Sequence, residues 1–138
     1  MKVVIDTNVM ISGIFWKGKP YLILEKWINE TIELIASQEI LDEYMRVLQE
    51  IGERYDRKDI AWEWTELIFQ NAQLIDSPKV YKGCRDVSDN KFIDCALAGK
   101  SKLIVSGDAD LLVLGKVERI NILKADEALK FITGKCNN

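Results

Sequence analysis

The sequence predicts an α/β fold in which helices cover both faces of a central parallel sheet. Three observations carry this expectation. The runs Val3-Val4-Ile5 and Leu103-Ile104-Val105 are short, rich in β-branched residues and wholly apolar, as in strands buried on both faces. Stretches with helical spacing separate the apolar runs, so strands and helices alternate along the chain. Two of the runs lead into aspartate, at Asp6 and at Ser106-Gly107-Asp108, where an open sheet of this kind binds its ligands.

Each element follows in order. After the first strand, a helical turn through Val9–Phe15 is broken by a loop, Lys17-Gly18-Lys19-Pro20. Pro20 suits the start of a second helix, Tyr21–Asn29, because its missing N–H is not needed there. Thr31–Ala36 reads as a second strand, and Ser37 as the N-cap of a helix running to about Gly52. A further helix covers Lys58–Gln70, with Trp62, Trp64, Leu67, Ile68 and Phe69 expected in the core. Leu74–Ile75 forms a short extension before a loop over Pro78–Arg85. Asp89 caps a helix to Ala98 that Gly99 stops. Beyond the strand Leu103–Val105 come a helical turn at Leu111–Leu114, a strand at Ile120–Leu123 and a helix at Asp126–Ile132. The expected organisation is one domain over residues 1–133 and a frayed tail from Gly134 to Asn138.

Composition removes several function classes. There are no histidines, which excludes Ser-His-Asp and Cys-His machinery, imidazole acid–base catalysis and His-ligated zinc. Cys84, Cys95 and Cys136 lack the paired spacing of a disulfide framework or zinc knuckle, so reduced thiols are expected, with Cys95 in the core. No apolar run approaches the ~20 residues of a membrane span, and Val3–Ile5 is too short for a signal-peptide core. A cytoplasmic protein without membrane attachment is expected. The net charge of −3 argues against a protein that coats nucleic acid, yet allows a nuclease with a few local basic contacts.

The carboxylates are the candidate chemistry. Asp6 and Asp108 project from one edge of the sheet if both strands are central. At about 100° per residue, Ile40, Tyr44, Val47, Leu48 and Ile51 share a helix face, and Glu43 lies at its border while Asp42 points away. The same arithmetic puts Asp89 on the buried face defined by Phe92, Ile93 and Ala96, and leaves Asp94 near the opposite, solvated side. Asp110, sharing a loop with Asp108, and Asp86 are adjacent reserves. Two unit charges ~4 Å apart repel by ~4 kcal/mol at an effective dielectric of ~20, so four such groups need cations or raised pKa values. An all-oxygen set suits Mg²⁺ or Mn²⁺, and the reaction it predicts is phosphodiester hydrolysis.

Four motifs in order resemble those of PIN-domain ribonucleases, of the kind found as VapC-like toxins in toxin–antitoxin pairs. They are Asp6-Thr7-Asn8-Val9; Ile40-Leu41-Asp42-Glu43-Tyr44; the stretch Asp86-Val87-Ser88-Asp89-Asn90-Lys91-Phe92-Ile93-Asp94-Cys95-Ala96; and Val105-Ser106-Gly107-Asp108-Ala109-Asp110-Leu111-Leu112. The resemblance spans nearly the whole chain. It implies a PIN-like three-layer α/β/α domain and metal ligation by Asp6, Glu43, Asp89 and Asp108. Asn8 is similar to a residue that braces the first aspartate, and Ser106 to a hydroxyl beside the last. Asp94 stays an alternative third ligand, since both aspartates fall in the third motif. The resemblance further implies cleavage of single-stranded RNA with Mg²⁺ or Mn²⁺, a cognate antitoxin partner and a homodimer.

Other readings fit parts of the pattern. An aspartyl-nucleophile phosphatase wants a second aspartate where Asn8 stands, and a receiver module wants a phosphoacceptor that Thr31–Ser37 does not supply. A PIN-like domain that binds metal or RNA without turnover shares every motif. Lys17, Lys19 and Arg85 are the candidate RNA contacts, with Lys79 and Lys82 nearby in sequence. Trp16, Trp27, Trp62 and Trp64 read as core or interface, and Tyr21–Asn29 with the middle helices as a dimer or antitoxin surface.

Overall fold

Buried apolar strands dictate the centre of the structure. The computed structural model of the chain describes residues 1–134; the rest of the expected frayed tail, with Cys136, lies outside the described residues. Strand β1 (Lys2–Ile5) is flanked by β2 (Glu33–Ala36) and β4 (Leu103–Val105), both parallel to it. Val3, Val4, Ile5 and Leu103 to Val105 are all fully buried, as continuous apolar runs require. The short β3 (Gln73–Leu74) extends one edge, and β6 (Ile120–Leu123) pairs with β4 on the other side. The hairpin strand β5 (Lys116–Val117) closes that edge antiparallel to β6, giving the order β3-β2-β1-β4-β6-β5. Helices flank this mostly parallel sheet, as expected.

Helices α1 (Thr7–Trp16) and α2 (Gly18–Ile28) meet across Lys17 alone, so the predicted loop shrinks to one residue. Lys17 and Gly18 both have positive φ, which reverses the chain in that space, and Pro20 sits in the first turn of α2 where it is tolerated. Helix α3 (Gln38–Arg54) starts at Ser37, whose hydroxyl accepts from Ile40 N–H. In α4 (Lys58–Asn71), Ala61, Trp64 and Ile68 are buried on one face. Trp62 and Phe69, expected in the core, are instead 68% and 59% exposed. They lie a heptad apart on the opposite face, so their hydrophobicity is overridden by helical position. Of the other tryptophans, Trp27 is buried, and the exposed Trp16 stands edge-on to Tyr55. A 3-10 turn at Val87–Asp89 leads into α5 (Asn90–Gly99), which packs on β1, β2 and β4. The turn α6 (Ala109–Leu112) and α7 (Ala125–Thr133) complete the chain.

Among the described residues, no helix is long and apolar enough to cross a membrane. Cys84 and Cys95 are buried free thiols, and burial holds both in the protonated form.

Candidate metal centre

The register of β1 against β4 builds the site. Ile5 lies opposite Val105, so Asp6 and Ser106 leave the same sheet edge side by side. The ladder runs one step further on each strand: Asp6 N–H donates to Val105 C=O, and Ser106 N–H to Leu123 C=O, each at 3.0 Å. Asp6 then caps α1, accepting from Val9 N–H at 2.8 Å. The Ser106 hydroxyl donates to the other Asp6 oxygen and accepts from Asp108 N–H at 3.0 Å. One buried serine thus ties the two strand-end aspartates together. Burial, chiefly, raises the Asp6 pKa to about 6, and the Asp108 charge adds to the shift.

Asp89 completes a cluster with Asp108 and Asp110: one carboxylate oxygen from each lies within 4.8 Å of the others. Asp89 occupies the cap position of α5 but makes no side-chain cap bond, and its Oδ2 is buried without any hydrogen bond. Burial and then the facing Asp108 carboxyl push its pKa up to about 7. An orphaned buried carboxylate oxygen is costly unless a cation or proton meets it. Asp108 caps α6, accepting from Asp110 N–H at 3.2 Å. Asp110 in turn receives both arms of Arg85, at 2.8 and 2.9 Å, although the Arg85 side chain is 83% exposed. Asp86 stands apart, capping the 3-10 turn through Ser88.

Glu43 lies at the border of its helix face, half-buried, and is already engaged. Its Oε2 accepts from the Thr7 hydroxyl, and its Oε1 lies 3.0 Å from Lys91 Nζ. Beside it, Tyr44 is fully buried and donates its hydroxyl to Ile5 C=O at the end of β1. Burial raises the Tyr44 pKa well above the usual phenol value, with the Asp6 charge contributing. The phenol therefore stays a donor. Thr7, Tyr44 and Lys91 were not singled out as site residues in the sequence. Thr7 lies inside the first motif, but nothing in spacing separates Lys91 from a solvated lysine.

Asn8 is exposed, and the bracing of Asp6 comes from Val9 and Ser106. Lys17 and Lys19 are exposed, with Lys17 Nζ 5.7 Å from the Tyr21 ring. Asp94 is not solvated: it is 5% exposed and accepts from Val80 N–H at 3.1 Å and Tyr81 N–H at 2.7 Å. It pins the loop before the 3-10 turn onto α5, helped by Asn90, which accepts from Cys84 N–H at 3.0 Å. Replacing Asp94 by alanine strands two backbone donors and is expected to cost roughly 1–3 kcal/mol of stability. A denaturant melt measures that loss, and Mn²⁺ titration is expected to show unchanged affinity. Normal stability with lost Mn²⁺ binding would make Asp94 a ligand.

Comparison with known proteins identifies the family and the fold. Residues 2–110 match the PIN domain family. An uncharacterized protein of Methanocaldococcus jannaschii is 35% identical over 117 residues, covering 83% of this chain and 75% of that protein. A chain in the crystal structure of VapBC2 from Rickettsia felis, bound to a DNA fragment from their promoter, matches with a TM-score of 0.58. That match covers 88% of this chain and 97% of the other at 11% identity, a likeness of fold alone. With the family match extending over residues 2–110, the chain belongs to the PIN-domain family.

Proposed function

We propose that this protein is a divalent-metal-dependent endoribonuclease that hydrolyses phosphodiester bonds of single-stranded RNA, and that it is the toxin of a toxin–antitoxin pair. The observation that carries the reading is the cluster of Asp89, Asp108 and Asp110, with the Asp89 oxygen buried and unbonded among carboxylates and Asp6 tied to Asp108 through Ser106. The donor set fits Mg²⁺ or Mn²⁺: it is oxygen-only, and burial followed by the neighbouring Asp108 carboxyl disfavours its charged form unless a cation is present. Asp6, Asp89 and Asp108 would hold the ion, with Asp110 at the rim and Glu43 in the adjoining wall. An ion held there would supply Lewis-acid charge to the scissile phosphate and to the water that attacks it.

The chain's own residues do the rest. Ser106 fixes the rotamer of Asp6, and Tyr44 holds the carbonyl at the end of β1 that precedes it. Arg85 reaches the rim with a planar fork suited to phosphate as well as to Asp110. Lys17 and Lys19 are further contacts for the RNA backbone. The fold shared with a VapBC2 chain and the four motifs support the toxin assignment, with a protein antitoxin and a second copy of the chain as partners.

Incubation of the purified protein with single-stranded RNA in Mn²⁺, in Mg²⁺ or in chelator tests the activity. Shortened RNA is expected with either metal and none in chelator. Cleavage that persists in chelator would overturn the metal dependence. Tight Mn²⁺ binding without cleavage would mark a binding domain instead.

A further inference from the structure

We propose that Lys91 is a built-in cation standing in for a second metal ion, so that the cluster takes one divalent ion and Glu43 is a positioning residue, not a ligand. This rests on the metal centre proposed above. The Lys91 side chain is only 6% exposed, a rare position for lysine unless it is paired. Its Nζ lies 3.0 Å from Glu43 Oε1 and donates to Ser88 C=O, one residue before Asp89. The Thr7 hydroxyl takes the other Glu43 oxygen, and Thr7 follows Asp6 directly.

Both oxygens of Glu43 therefore have donors, whereas Asp89 Oδ2 has none. The Lys91–Glu43 pair links α3 and α5, while Thr7 ties Glu43 to the start of α1 and Ser88 ties Lys91 to the 3-10 turn. The four elements that carry the cluster's wall are thereby held at one spacing without metal. For Glu43 to ligate an ion it would have to give up the oxygens that Lys91 and Thr7 occupy, leaving a buried ammonium with only the Ser88 carbonyl and no counter-charge beside it. Fully ionised, Asp6, Glu43, Asp89, Asp108 and Lys91 carry three net negative charges between them. With Asp110 paired to Arg85, one divalent ion leaves this set one charge negative and two leave it one charge positive, so it is the occupied oxygens of Glu43, not the charge count, that favour a single ion.

The test is Mn²⁺ stoichiometry and affinity on the chelator-stripped full chain, by calorimetry and by the electron spin resonance of free Mn²⁺. Wild type is expected to bind one ion. Lys91→Met frees Glu43, and is expected to bind a second ion or to tighten the first by about tenfold or more. Lys91→Arg keeps the charge and is expected to keep one ion. The double variant Lys91→Met with Glu43→Met removes the pair at no net charge, and should bind one ion within about threefold of wild type. The double variant also decides the matter if Lys91→Met alone does not fold. Two ions on wild type, or a hundredfold weaker ion in the double variant, would overturn the inference. So would Lys91→Met binding as wild type does, with the metal centre itself intact. Wild type binding no Mn²⁺ would instead remove the metal centre, and this inference with it.

Discussion

Replacing Asp6 by asparagine is expected to lower metal-dependent RNA cleavage by at least ~10²-fold, with the fold intact. The loss comes from removing one ligand oxygen's charge where several kcal/mol of charge stabilisation is concentrated. The fold survives because asparagine caps a helix as well as aspartate does. Its carbonyl oxygen can keep the Val9 N–H bond, and its amide can donate to Ser106, whose hydroxyl then turns to accept. Removing a buried charge beside Asp108 also relieves repulsion, so the metal-free melting temperature should hold or rise. Asp108→Asn is expected to act in the same direction, since asparagine can still accept from Asp110 N–H. Cleavage in Mn²⁺, circular dichroism and melts in chelator check both variants. Unchanged cleavage would sink the mechanism. Cleavage lost together with the melting transition would make the residue structural.

Much of the fold is legible because its central strands leave little choice. Val3–Ile5 and Leu103–Val105 have no polar residue to turn outward, so each must be covered on both faces. Ser37 announces α3, and its hydroxyl accepts the expected cap bond. The β5–β6 hairpin is not legible. Lys116-Val117 is too short for any period, and it is a strand only because Ile120 and Asn121 pair with it. Trp62 and Phe69 stand outside the core because helical face, not apolar character, decides which side chains of α4 are buried.

The site divides along the same line. Placement at strand ends makes Asp6 and Asp108 readable, and the buried face of α5 points to Asp89. Asp94 shows the limit of that arithmetic: a helical wheel tells which way a residue points, but not what covers it. Here the loop carrying Val80 and Tyr81 lies on the face that seemed solvated. The pairs Lys91–Glu43 and Arg85–Asp110 join residues far apart in sequence, and no local period encodes them.

Opposite pH trends are expected for the metal-free protein and for its metal affinity. Unfolded aspartates titrate near 3.8, whereas Asp6 titrates at about 6 and Asp89 at about 7 in the folded chain. The folded state therefore keeps protons that the unfolded chain has released. That contribution to stability is complete below the unfolded value and is lost as pH rises through the two folded values. Between about pH 5 and pH 8, Asp6 alone accounts for about 1.4 kcal/mol of the decline. Asp89 adds a smaller share than its shift suggests, because solvent reaches and screens it. Melts in chelator should thus fall by roughly 5 °C across that range. Metal binding must expel the same protons, so Mn²⁺ affinity should climb over this window and level off above about pH 8. Carboxylates that were already ionised in the empty cluster would give flat affinity and a melting temperature that does not fall. Asp6→Asn separates the two groups: it should remove the part of the trend centred near pH 6 and leave the part near pH 7, which belongs to Asp89 facing Asp108.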